Sequence, residues 1–349
     1  MLNTLKKQVR HLRRWKKYVW DDREDFSVSF PEKLRWALKG FSVNESVWYK
    51  LKENGTGEYI SEFERLDTRQ INGSYRLLLD DKLVFEELFS KYTRVPVNYA
   101  WISDGEIYPL HGAAISEDNL LPFLKGVKKS VLKWTGSGGG SDTYVFDASA
   151  EDILVNGQAA DEEAVRKLFR RKGEALLCEY ITQSAFSAAL YPHATNTIRL
   201  VCAKKKGEKR AHFISAIQRI GSDDSIPVDN ASAGGMTASI DPETGRLGPA
   251  IAKLGRMERR MMPFSYHPDT GGQIEGAVIP GWTKLKEEME TLTNALPYLK
   301  LVAWDILLTD DGYAVIEGNA STGFGIFQVE HGVRHKALGD LIRSYGIIK

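Results

Sequence analysis

Asp305, Glu317 and Asn319 lie close together near the end of the chain, in two apolar runs separated by Asp310-Asp311-Gly312. Leu301–Thr309 and Tyr313–Asn319 read as the strands of a β-hairpin. With Gly312 in the left-handed region of a three-residue loop, Thr309 pairs with Tyr313. Counting back, Asp305 falls opposite Glu317, and Asn319 shares their face. Two carboxylates on an apolar hairpin repel each other unless something positive sits between them. An all-oxygen donor set suits a hard divalent cation such as Mg²⁺, which keeps positions open for phosphate. Solvated acids on a surface hairpin are the plainer reading of the same residues, and a register slip of one residue would turn Asp305 to the other face. If the acids form one like-charged cluster, removing either leaves the metal-free protein no less stable.

Lys133 closes a strand-like run that enters Gly136-Ser137-Gly138-Gly139-Gly140-Ser141, and Thr143–Phe146 leaves it. Such a stretch is a flexible linker by composition, or a hairpin tip whose backbone N–H groups approach a polyphosphate while the lysine adds a point charge. Arg199 and Arg219 each stand inside an apolar strand. A buried guanidinium needs either a structural carboxylate or a phosphoryl group or carboxylate of a substrate. Two small-residue loops could border a substrate pocket: Asp229-Asn230 with Gly234-Gly235, and His267-Pro268-Asp269-Thr270-Gly271. His267 is either a ligand-facing group or a loop hydrogen-bonder. Glu179-Tyr180-Ile181 ends another strand and could join two lobes, its backbone edge pairing with an adenine ring.

The elements that must hold these residues are α+β in three lobes. The 349 residues, 42% of them hydrophobic and with a net charge of +1, describe a globular chain. No apolar run is long enough to cross a bilayer. Cys178 and Cys202 sit in apolar strands, so no disulfide framework is expected and a reducing cytoplasm fits best. A helix from about Asp80 to Phe89 carries Lys82 behind its acidic start. Asp161 caps another helix. A long helix from Thr283 to Leu296 shows one face of Leu285, Met289, Leu292 and Leu296. At the N-terminus, Lys6, Lys7, Arg10, Arg13, Arg14, Lys16 and Lys17 accompany Leu2, Leu5, Val9 and Leu12 at helical spacing. That helix either packs its apolar stripe on its own domain or lies on an anionic membrane surface. Nucleic acid is not expected, because the body of the chain has no comparable basic excess.

Taken in order, Lys82, Lys133 with its glycine turn, Glu179-Tyr180-Ile181, Arg199, Asp305 and Glu317-Gly318-Asn319 resemble the ATP-grasp superfamily. The chain is most similar to the sugar-transfer-associated ATP-grasp proteins, which share the Asn-Thr-Ile-Arg strand, Asp-Asn…Gly-Gly, His-Pro-Asp-Thr-Gly and Glu-Gly-Asn. The resemblance covers roughly residues 30–349. It implies two α+β subdomains gripping ATP; with the basic arm, the expected divisions are the arm at 1–25, an N-terminal α/β region at 26–125, a lid at 126–190 and a catalytic subdomain at 191–349. It implies that Lys82 and Lys133 meet the phosphates, that Gly136, Ser137, Gly138 and Gly139 cover them, and that the Glu179–Ile181 backbone holds adenine. It further implies that Asp305, Glu317 and Asn319 bind Mg²⁺ and that Arg199 and Lys133 are catalytic. Arg219, Asn230, Gly234, Gly235 and His267 are the candidates for substrate. Where better-known members carry an arginine two residues before the aspartate, this chain has Ala303, and Arg199 looks like its substitute. The acid that holds the ribose hydroxyls has no match between Gln183 and Ser187. The expected activity is a carboxylate–amine ligase acting through an acyl phosphate, in polysaccharide or natural-product biosynthesis. The alternatives are a kinase of a small hydroxylated acceptor and a nucleotide-binding accessory protein. Small-molecule carboxylate and amine substrates are the expected partners, with a peripheral membrane contact through the arm left open.

Overall fold

The computed structural model describes all residues except 1, 23–25, 135–141, 254–260 and 329, and only the backbone of residues 2–8, 253, 261 and 262. Two seven-stranded sheets, antiparallel throughout, dominate it. The first contains β1 (Asn98–Ser103), β2 (Glu106–Pro109), β3 (Lys129–Trp134), β4 (Thr143–Asp147), β5 (Ile153–Val155), β6 (Gln158–Ala160) and β7 (Glu174–Glu179), in the order β2-β1-β7-β3-β4-β5-β6. It therefore takes strands from both sides of the expected boundary at 125/126. The second contains β8 (Ile198–Ala203), β9 (His212–Ile220), β10 (Met236–Ile240), β11 (Leu247–Lys253), β12 (Met261–Phe264), β13 (Leu301–Thr309) and β14 (Gly312–Asn319), in the order β12-β11-β10-β9-β8-β13-β14.

All nine residues of β13 are buried, and their alternation divides them between two faces. Val302, Trp304, Ile306 and Leu308 pack with Trp282, Leu285, Met289 and Leu292 of the helix Trp282–Ala295. On the other face Leu301 and Ala303 join Leu338, Leu341 and Ile342 of the helix Ala337–Ser344, together with Ile60 and Ile71 from the N-terminal region. Asp305 is the only charged residue in the strand, and it belongs to this second face.

The β13–β14 turn differs from the three-residue loop that the sequence suggests. Thr309 pairs with Gly312, so only Asp310 and Asp311 form the turn, which shifts the register by one residue. Ile316 is then the extra residue of a β-bulge, because Ile306 pairs with Val315 and Asp305 with Glu317. The two departures cancel. From the bulge onward Asp305 opposes Glu317 and Ala303 opposes Asn319, as the sequence predicts.

The helix Lys82–Phe89 is capped by Asp81, whose carboxylate accepts from the N–H groups of Leu83 and Val84 at 3.0 Å each. Leu79, Phe85 and Phe89 bury themselves against the hairpin. The close approach depends on Gly318, where a Cβ would sit 2.7 Å from Leu79 Cδ2 and 3.0 Å from a Phe85 ring carbon. This packing carries Lys82 from the N-terminal region to the mouth of the hairpin.

Candidate active site

A cavity of about 460 Å³ lies between the two sheets. Lys133 with Val131 and Val145 forms one wall, and the Glu179–Ile181 segment forms its back. Arg199, Arg219, Asp305, Glu317 and Asn319 form the opposite wall, and Lys82 closes one side. Strand register explains the charged row. Asp305 is directly paired with Glu317 on β14 and with Arg199 on β8, and Arg199 with Ile217 on β9. Arg219, two residues beyond Ile217, points to the same face.

Asp305 is held by arginine on two sides. Arg199 gives it Nε–H and Nη2–H at 2.7 and 2.6 Å, and Arg219 adds Nη1 at 2.8 Å. Arg219 also meets the buried Asp229 at 2.5 Å and donates to Asn230. Asp229 in turn accepts from the Thr197 backbone N–H at 2.9 Å and its hydroxyl at 2.5 Å. Burial alone would raise the Asp305 carboxyl, but Arg199 and then Arg219 outweigh it and hold it below its ordinary value. For Asp229 burial prevails over Arg219 and Thr197, and its pKa is raised. Burial disfavours the Arg199 cation, yet Asp305 more than compensates and holds the guanidinium above its ordinary value. The expected like-charged carboxylate cluster is thereby corrected: Asp305 sits in a network of two acids and two arginines that balances its charge.

Glu317 is not hydrogen-bonded into this network, though its charge, after that of Asp305, also supports the Arg199 cation. Its carboxylate is 40% exposed and lies 3.7 Å from Lys82 Nζ. Asn319 gives its amide N–H to the Ala303 carbonyl at 3.4 Å, which leaves Oδ1 as an acceptor. Glu317, Asn319 and Asp305 all line the cavity, and their oxygens are of the hard type that suits Mg²⁺, since a carboxylate oxygen bonded to an arginine keeps further lone pairs; among the described residues no three acids, histidines or cysteines gather as a metal cluster by themselves. Glu317 is the carboxylate in this set with no bond to an arginine. Among the described residues, no backbone–backbone hydrogen bond occupies the N–H of Tyr180 or Ile181, whereas the Glu179 N–H is bonded to Val97 O at 2.8 Å. Gln183 and Ser184, in the stretch where the ribose-holding acid is expected, are used internally. Gln183 donates to the carbonyls of Tyr191 and Ala194, and Ser184 caps the helix Ala185–Leu190.

The remaining sequence candidates fall elsewhere. His267 is buried outside the cavity: it stacks on Tyr191 at 4.7 Å and 17°, accepts from the Asp269 N–H at Nδ1, and gives its Nε2 proton to the Gly221 carbonyl at 2.8 Å. Its polar atoms are spent on the loop, so it is a structural residue. Gly234 and Gly235 line no part of the cavity. Gly234 adopts φ +114°, and a Cβ on Gly235 would lie 2.4 Å from Asp229 O, so both shape the loop that presents Asp229 and Asn230. Gly136, Ser137, Gly138 and Gly139 lie outside the described residues; β3 and β4 on either side of them pair antiparallel, Lys133 opposite Thr143.

A second cavity of about 320 Å³ shares Arg199, Arg219 and Asn230 with the first and continues to Trp48, Glu62 and Ile326. Sequence reasoning missed this chamber, along with the roles of Asp229 and Thr197. Thr197 and Asp229 stand in quoted motifs, and a buried arginine pair demands more than one acid. Trp48 and Glu62 carry no such signal, because they arrive from short helices of ordinary composition.

A cleft between two antiparallel sheets, lined by Lys133 from one sheet, a carboxylate–arginine row from the other and Lys82 from a helix beside them, is what the ATP-grasp class presents. The family model of sugar-transfer associated ATP-grasp proteins matches residues 64–339, and the chain belongs to that family. Similar solved structures include an ADP complex of N5-carboxyaminoimidazole ribonucleotide synthetase (14% identity, TM-score 0.42, 82% of this chain and 59% of that one). Another is D-alanyl-alanine synthetase A from Vibrio cholerae (10%, 0.42, 76% and 65%). A third is a Chryseobacterium gregarium RiPP-associated ATP-grasp ligase bound to ADP with a leader and core peptide (11%, 0.41, 85% and 70%). The chain thus spans 59% of the first of these and 65% of the second. At such TM-scores the likeness bears on neither substrate nor mechanism. The comparison with curated proteins finds no match.

Proposed function

We propose that the protein is an ATP- and Mg²⁺-dependent carboxylate–amine ligase. The observation that carries this reading is the convergence of Lys82, Lys133, Arg199 and Arg219, from four separate elements, on one cleft beside Glu317 and Asn319. Among the described residues lining that cleft there is no Ser, Cys or His. Phosphoryl transfer needs positioning and charge neutralisation rather than a nucleophilic side chain, and this is what the cleft supplies.

ATP lies along the cleft with adenine against Tyr180 and Ile181 and phosphates toward the lysines. A carboxylate oxygen of the first substrate attacks the γ-phosphorus, ADP leaves, and an acyl phosphate forms. An amine then attacks the acyl carbon, phosphate leaves with the bonding pair, and the amine's proton passes to solvent. Arg199, at the wall between the two chambers, orients the acceptor and draws charge from the transferred group. Glu317 and Asn319, with Asp305, would hold Mg²⁺, which when bound neutralises β- and γ-phosphate charge. The chamber bounded by Trp48 and Ile326 takes the second substrate.

A screen of ADP release against amino acids, uronic acids and amino sugars, with product analysis, tests this. Free phosphate together with a new amide supports the ligase. A phosphorylated acceptor would establish a kinase instead, and nucleotide binding with no turnover on any pair would favour an accessory role.

A further inference from the structure

Where its side chains are described, from Val9 to Trp15, the N-terminal arm helix (Leu2–Trp15) docks by a polar and aromatic side. Arg14 pairs with Asp67 at 2.9 Å, His11 meets Phe63 edge-on at 4.7 Å, and Trp15 Nε1 donates to the Ala37 carbonyl at 2.8 Å. Residues 11, 14 and 15 form one side of a helix. Val9 and Leu12, from the stripe that could have packed on the body, are left 43% and 63% exposed.

The helix Phe30–Ala37 is arranged in the same way. Trp36 and Ala37 are buried, while Phe30, Leu34 and Leu38, spaced four residues apart, are 65%, 38% and 74% exposed. Trp20 links the two helices, stacking on Trp15 at 5.9 Å and meeting Phe30 edge-on at 6.1 Å. The surroundings are cationic. Lys33 lies 4.7 Å over the Trp20 ring, Arg35 lies 4.7 Å over Trp36, and Arg10, Arg13, Lys16 and Lys17 are exposed. Residues 1–39 contain eleven Lys and Arg against five Asp and Glu, a net of +6 in a chain whose total is +1.

We propose that this face rests on an anionic lipid bilayer. Apolar stripes on two helices, an aromatic side chain between them and a rim of long cations are what an interfacial surface requires. The apolar groups enter the headgroup–acyl boundary, and the lysine and arginine stems reach back to lipid phosphates. Among the described residues no helix is long and apolar enough to cross a membrane, so the contact is peripheral. A second copy is a poor occupant, because it would set one face rimmed by cations against another.

Flotation of the full chain with vesicles tests this, comparing neutral phosphatidylcholine with mixtures rich in anionic phosphatidylglycerol. The expected result is binding to the anionic vesicles that falls at least about tenfold on neutral ones and on raising salt. A Phe30→Glu, Leu38→Glu double variant should lose at least about tenfold in binding while keeping the parent's melting temperature, since both positions face solvent. Three results would overturn the proposal: no binding to anionic vesicles, equal binding to both kinds, or a folded double variant that binds as the parent does. A dimer that the double variant dissolves, with no vesicle binding, would assign the face to self-association instead.

Discussion

Asp305 and Glu317 face each other across the β13–β14 hairpin, yet they contact different cations. Asp305 takes both of its oxygens to Arg199, at 2.7 and 2.6 Å, while Glu317 lies 3.7 Å from Lys82 Nζ. The two acids should therefore respond unequally to neutralisation. Asp305→Asn leaves two buried guanidiniums short of their counter-charge and should cost about 3 kcal/mol or more of stability. Glu317→Gln breaks a half-exposed contact and should stay within about 1 kcal/mol of the parent. Melting of the two nucleotide-free variants checks the contrast, and equal stability would show that the arginine network does not hold Asp305.

If Glu317 holds the metal as proposed, Glu317→Gln should nonetheless raise the Mg²⁺ concentration needed for half-maximal ADP release, because it removes a charged oxygen ligand. The measurement is turnover across a Mg²⁺ series. An unchanged requirement would remove Glu317 from the metal site.

Lys133→Ala should weaken nucleotide binding and leave the fold intact. Binding at about 100 times Kd stabilises a protein by roughly 2.7 kcal/mol, so the parent's melting temperature should rise clearly with Mg·ATP and the variant's much less. A variant that shifts as the parent does would exclude the lysine from phosphate contact.

His267→Ala should lose on the order of 2 kcal/mol, from the unpaired Gly221 carbonyl and the lost Tyr191 stack. The KM values of the folded variant should not change. A raised KM with normal stability would return His267 to the substrate pocket.

Glu45 offers a pH test. Burial pushes its carboxyl up to about 8, against the hydrogen bonds that its oxygens accept from the N–H groups of Ser42 and Glu62. A pKa raised on folding means that the folded state holds the proton more tightly. This contribution is complete below the ordinary carboxyl pKa of 4.5 and is lost as pH rises through about 8. Melting temperature should fall across that window in the parent and stay flatter in Glu45→Gln. Parallel profiles would contradict the assignment.

Much of this site was legible because strands alternate. Once Leu301–Thr309 and the run after it are read as a hairpin, period two alone brings Asp305, Glu317 and Asn319 to one face, and the bulge at Ile316 restores what the shorter turn displaces. The arginines were visible as charges inside apolar strands, but not their partner, since nothing local states that β8 lies beside β13. His267 shows the opposite failure. A histidine in a small-residue loop has the same appearance whether it faces substrate or ties the loop together, and only its bonds to Gly221 and Asp269 separate the two. Trp48 and Glu62 reach their chamber through tertiary packing that no spacing in the sequence reports.

Gly318 sets the distance between a helix and a hairpin, and so the distance between Lys82 and Glu317. All three neighbours that a Cβ would meet, Leu79, Phe85 and Trp304, are buried and have little room to swing aside. A graded series at this position, from glycine through alanine and serine to valine, would act as a set of shims, moving a cation away from its carboxylate in small steps without altering any charge. On the proposed function, phosphate grip and metal demand would then become adjustable quantities governed by an uncharged position outside the reacting groups, and an engineer could tune nucleotide affinity there.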